Sequence, residues 1–309
     1  MSAVATIDER AAGRRHRRIA LLATVCAVLF AGPASHLEPH VQAILLGVGV
    51  LLTGVPHGAV DHHRMAPILR GRLGPIWLPT FLLGYVALAL AVAIVWWLLP
   101  TVSLVVFLVM SVHHFGTGDA KDPLGVLVHG SLPILMPAIA HPEAVGELFS
   151  LLTNGDAAAW NDILRQARPA LLLATSLMLA AFVFRPRRAA GELVEVLAVA
   201  VAGLLLPPLL SFGLYFCIWH APRHILVVAQ ELRPGPWLRA LGGFGWSALP
   251  MTVATIAAGA LVWVMLPTDQ VPLRRWLQMV FIGLASLTVP HLIVTDALRR
   301  SLRVQPGSM

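Results

Sequence analysis

The sequence predicts an all-α, polytopic membrane helix bundle. Three observations carry this: charge is scarce, apolar stretches of spanning length recur along the chain, and basic residues gather in alternate connections. Hydrophobic residues make up 58% of the 309 positions and charged residues 12%, against about 25% charged in an ordinary soluble domain. Apolar runs of about 20 residues suffice to cross ~30 Å of hydrocarbon as a helix. They fall at about 18–35, 41–60, 76–99, 102–117, 124–141, 169–185, 191–207, 209–231, 244–266 and 275–298, which gives about ten spans.

The first run follows Arg14, Arg15, Arg17 and Arg18 in the manner of a signal peptide. No small-residue cleavage site stands out and further spans follow, so it reads as a transmembrane helix with a cytoplasmic N-terminus. On that footing seventeen Lys and Arg lie in inside segments, against four outside: Arg165, Arg168, Arg274 and Arg275. This asymmetry supports cytoplasmic N- and C-termini in an inner (plasma) membrane. The chain divides into a basic tail, 1–17, one transmembrane domain, 18–299, and a C-terminal tail, 300–309. The longest connection, 142–168, mixes Glu143, Glu147, Asp156 and Asp162 with Leu148, Leu151, Leu152 and Trp160, and reads as an amphipathic surface segment.

The net charge of +7 follows from topology. The arginines are scattered, with no run of interleaved aromatics, so nucleic acid is not an expected partner. Cys26 and Cys217 sit singly in apolar runs, which suggests neither a disulfide framework nor a thiolate metal site. Any metal must be held by nitrogen or oxygen. The echo of Pro56-His57 and Asp61 in Pro290-His291 and Asp296 is too short to establish a repeat.

Thirteen histidines stand out in so apolar a chain. His57, His62 and His63 fall at the inside end of the second span, and His113 and His114 at the inside end of the fourth. His220 and His224 lie in the inner half of the eighth, and His291 at the same depth in the tenth. Sidedness deduced from Lys and Arg alone thus brings histidines from four helices to one membrane level. Ionisable residues in spans are costly and usually face the bundle interior. His220 and His224 are four apart, so both rings project from one helix face, as two ligands of one ion require. Pro222 between them bends the helix. The plainer reading of such histidines is helix-to-helix hydrogen bonding. Neutral imidazole suits iron, zinc, copper or nickel alike. His113 and His114 point about 100° apart, so both can hardly serve one ion. His62 and His63 read as interfacial, and His16, His36, His40, His129 and His141 as flanking or loop residues. His291 is a candidate ligand, orienting group or substrate-lining residue.

Carboxylates orient the free nitrogen of ligating imidazoles. Asp61, one turn beyond His57 on the same expected face, is a candidate. Asp119 and Asp296, each five residues after a histidine, are others, with solvation at the interface as the alternative. Arg223 either reaches the site or snorkels to headgroups. Phe115, Trp219, Tyr215, Phe216 and Met110 are candidate substrate-lining residues or ordinary packing.

The combination of Pro56-His57-Gly58 with Asp61-His62, His114-Phe115-Gly116 with Asp119, Trp219-His220 with Arg223-His224, and Pro290-His291 resembles the Brp/Blh family of membrane β-carotene 15,15′-dioxygenases, from about residue 50 to 297. The resemblance implies an iron-dependent enzyme that uses O₂ to cleave β-carotene at its central double bond into two molecules of all-trans-retinal, often supplying a retinal-binding rhodopsin. It implies Fe(2+) as cofactor and His57, His114, His220 and His224 as its ligands. Ala221 departs from the small polar residue expected beside the tryptophan-histidine pair. A lipid-dissolved polyene suits an enzyme whose site opens within the bilayer. Two other classes compete. Di-iron desaturases and hydroxylases need about eight histidines in H-x-x-x-H and H-x-x-H-H boxes, whereas this chain has one clear i, i+4 pair within a span, His220 and His224. A non-enzymatic haem or metal carrier would need facing histidines or a polar path through the outer half, where the spans are nearly all apolar.

Overall fold

The computed structural model describes residues 3–186, 189–265 and 271–304. Arg187 and Arg188, counted above for sidedness, and residues 305–309 of the C-terminal tail lie outside the described residues. Within them the chain is helical, with no strand. We label the main helices α1 (Ala3–Leu29), α2 (Pro39–Gly49), α3 (Asp61–Leu73), α4 (Trp77–Leu98), α5 (Pro100–Asp119), α6 (Pro123–Ala140), α7 (Pro142–Thr153), α8 (Ala157–Val183), α9 (Ala190–Leu205), α10 (Pro208–Leu214), α11 (Trp237–Met265) and α12 (Pro272–Val304). Two of them run on through wider turns: α2 through Val50–Gly54 into Val55–Gly58, and α10 through Tyr215–His220 into Ala221–Leu232.

Among the described residues, seven helical stretches are long and apolar enough to cross a membrane. The difference from about ten spans has three sources. Pro39–Leu98 counts once although it bends twice, α9 has only 16 residues, and α1 carries a cluster of arginines. The surface is largely apolar, while the histidines of the inner helix ends are buried among mostly apolar neighbours. Leu52, Leu83 and Trp97 are 71%, 72% and 83% exposed, while His114, His220 and His291 are 6%, 4% and 2% exposed. So much exposed apolar surface suits hydrocarbon, and buried ionisable side chains in membrane helices usually face the bundle interior.

One expectation is sharpened and one corrected. The amphipathic segment expected at 142–168 is α7, a left-handed turn at Asn154 (φ 55°), and the start of α8. Asp156 caps α8 by accepting from Ala158 N–H (3.1 Å), so the amphipathic stretch is ordered as a hairpin of helices. The second span does not run to 60 as one helix. The chain turns at Ala59 and Val60, and Asp61 opens α3, where its carboxylate suits the positive helix end. Asp61 therefore does not share a helix face with His57.

The α5 and α6 helices touch backbone to backbone. A Cβ at Gly116 would collide with the Val126 carbonyl, and one at Gly130 with the Val112 carbonyl. Small residues permit such close approach in membrane helices, and here they seat the end of α5 that carries His114. The largest apolar core cluster gathers Leu46, Trp96, Leu104, Phe107, Phe115 and Phe216.

Candidate metal centre

Five helical segments deliver the site. His57 comes from the end of the second helical rod, Asp61 from α3, His114 from α5, His220 and His224 from the rod begun by α10, and His291 from α12. Two local devices aim these side chains. In Val50–Gly54 and Tyr215–His220 the helix widens to i→i+5 bonding, with Val55 N–H donating to Val50 O and Ala221 N–H to Phe216 O. Each widened turn stands just before a proline, Pro56 or Pro222, whose missing N–H cannot complete an ordinary helical ladder. Carbonyls of the second turn are taken up by side chains from other helices. His16 Nε2 lies 2.8 Å from Ile218 O, and Thr53 Oγ1 donates to Cys217 O at 3.2 Å. Trp219 Nε1 donates to Thr24 Oγ1 at 3.0 Å, pinning the same turn to α1.

The imidazoles converge. The His57 ring centroid lies 6.4, 6.1, 5.7 and 5.0 Å from those of His114, His220, His224 and His291. His114 is 4.9 Å from His220 and 5.2 Å from His291, and His224 is 5.2 Å from His291. The Nε2 atoms of His114 and His220 are 3.2 Å apart. His57 Nδ1 is engaged by the Gly54 carbonyl, which leaves its Nε2 as the donor atom. Ligand atoms of His57, His114 and His291 all lie within 4.8 Å of one another. The four histidines expected as ligands are thus brought together, and His291 joins them.

The donor set fits a metal ion. His114 Nδ1, His224 Nε2 and His291 Nε2 are buried without a hydrogen-bond partner. A buried nitrogen left unpaired forfeits about 1–3 kcal/mol, so several in one cluster need a common explanation. An ion bound by neutral imidazoles supplies one.

The carboxylates go elsewhere than adjacency in sequence suggested. Asp61, 2% exposed, accepts from His291 Nδ1 at 2.8 Å and from the Tyr85 hydroxyl at 3.3 Å. Asp119 accepts from Arg223 at 2.7 Å and from the Tyr215 hydroxyl at 3.4 Å, touching no cluster imidazole. Asp296 lies 3.7 Å from His113 and 3.5 Å from Arg299. Arg223 does not snorkel: its other nitrogen donates to Glu195 at 2.7 Å, and Arg17 pairs with that same Glu195. Phe115 packs against His220 at 4.8 Å, and Phe216 meets His57 edge-on at 5.8 Å. The rings of His62 and His63 lie 4.0 Å apart at a tilt of 38°, apart from the cluster.

Sequence reasoning missed His16, Thr24, Arg17 and Glu195, which hold the widened turn and Arg223. The one available signal was Glu195, which stands three residues after Glu192 and deeper in the same apolar run.

A family model described as Beta-carotene 15,15′-dioxygenase matches residues 48–299. The chain is 27% identical over 297 residues to the Probable beta-carotene 15,15′-dioxygenase Blh of Halobacterium salinarum, covering 85% of this chain and 86% of that protein. It is 29% identical over 259 residues to the Beta-carotene 15,15′-dioxygenase of an uncultured marine bacterium, covering 81% and 92% respectively. No solved structure matches. The matched stretch contains every histidine of the cluster, and the chain belongs to the beta-carotene 15,15′-dioxygenase family.

Proposed function

We propose that this protein is a membrane dioxygenase that cleaves β-carotene at its central double bond with O₂, releasing two molecules of all-trans-retinal. The observation that carries the reading is the convergence of imidazoles from separate helices in a chain matched by this family over residues 48–299. His57, His114, His220 and His224 would hold one ferrous ion. Bound there, iron supplies binding and activation of O₂.

The remaining steps belong to the protein. The apolar outer surface admits a lipid-dissolved polyene without passage through water. Phe115 and Phe216, buried against His220 and His57, keep the ring cluster dry. Selecting the central double bond among many neighbouring ones that also oxidise requires positioning, because oxidation follows whichever bond is held nearest. Arg223 contributes by tying the His220 segment to α5 through Asp119 and to α9 through Glu195. The enzyme sits in the plasma membrane with about ten crossings, α1 and α9 included, and both termini inside. Retinal released there is at hand for a retinal-binding rhodopsin in the same bilayer.

Expression in a β-carotene-producing bacterium tests the reading. Orange pigment should fade as retinal appears in the extract, and His220→Ala or His224→Ala should abolish this while the protein still inserts. Unchanged carotene in iron-replete membranes containing well-expressed protein would refute it.

A further inference from the structure

We infer that His291 is a fifth imidazole ligand of the metal ion proposed above, and that Asp61 is the positioning residue that holds it there. The inference rests on the metal reading of the cluster.

Three observations carry it. Among the described residues, His57, His114 and His291 form the group of three whose ligand atoms come within 4.8 Å of one another. His291 is therefore placed at least as favourably as the histidines assigned by motif. Its ring is also oriented: Nδ1 faces Asp61 Oδ2 at 2.8 Å, while Nε2 is buried with no partner. An imidazole that donates Nδ1–H to a carboxylate keeps its Nε2 lone pair free, and such carboxylate–histidine pairs fix both tautomer and direction of a ligand.

The third observation concerns charge. Asp61 is 2% exposed, and its contacts are an imidazole and the Tyr85 hydroxyl, with Oδ1 buried and without a hydrogen bond. A carboxylate in such a place needs a compensating positive charge. A cation on the far side of His291 provides it across the ring.

The test uses full-length protein purified in detergent and compares wild type, H220A, H291A, H291Q and D61N. Each is loaded with Fe(II) for metal stoichiometry and affinity, and separately with Co(II) for its visible ligand-field spectrum, which reports coordination number. H291A should bind Fe(II) more than tenfold more weakly and change the Co(II) bands, and added imidazole should restore both. H291Q, of similar volume, should show the same losses if H291A fails to fold. D61N should weaken binding by about 10–100-fold. Wild-type affinity and an unchanged spectrum in H291A or H291Q, alongside metal loss in H220A, would overturn the fifth ligand and leave the four-histidine reading standing. Metal retained by H220A as well, or no metal bound by wild type, would overturn the underlying reading and this inference with it.

Discussion

Two buried carboxylate arrangements flank the histidines, and they are neutralised differently. Asp119 and Glu195, each with a side chain 6% exposed, meet the guanidinium groups of Arg223 and Arg17. Asp61, equally buried, meets an imidazole and a phenol. An arginine is charged in every circumstance and binds carboxylates in fixed geometry, so the first arrangement is complete within the protein. It can act as a clamp and nothing more. The second lacks a permanent cation and becomes complete only when positive charge arrives beyond His291. The contrast teaches that a buried acid paired with arginine marks architecture, whereas one paired with histidine marks a site.

The sharpest way to break this comparison is to remove a partner from each side. Arg223→Met leaves Asp119 without its guanidinium and should cost about 3–5 kcal/mol, read as a large fall in thermal midpoint in detergent. Asp61→Asn should cost less stability, under about 1.5 kcal/mol, yet lower retinal formation per folded molecule more than Arg223→Met does. Equal losses in both readouts would erase the distinction. A smaller effect probes the support behind the clamp. His16→Ala removes a hydrogen bond to Ile218 O and should cost about 1 kcal/mol, with activity falling only as far as folded protein does.

The smallest effect is expected at Glu143, on the far end of the bundle. The Arg165 hydrogen bond holds its carboxyl below the usual carboxylate range. Any stabilisation is therefore present above the ordinary carboxylate pKa and fades as pH falls through the lowered value. The pair is exposed, so Glu143→Gln should leave the melting curve unchanged at neutral pH.

The helical spans and the common depth of the histidines were legible because a bilayer imposes simple rules. Apolar length marks a crossing, and basic connections mark a side. The α7 and α8 start was less legible, since Glu143, Asp156 and Asp162 interrupt its apolar residues and mimic a surface loop. Partnership between distant residues was not legible at all. Asp61 looked assigned to His57 by spacing, but a turn at Val60 sends it to a histidine 230 positions away. Arg17 and Glu195 are 178 positions apart, and only packing of α1 against α9 joins them.

The widened turns in the second and tenth rods have a consequence for how this protein tolerates length changes. Each amounts to one extra residue accommodated inside a helix. Deleting a single residue from Val50–Gly54 would return the rod to ordinary winding with its flanks nearly in phase, so His57 would still face the other imidazoles. Winding the same residues as an ordinary helix without a deletion would instead swing everything beyond by about 100° and carry His57 away from them, so the extra residue and the widened turn must be gained or lost together.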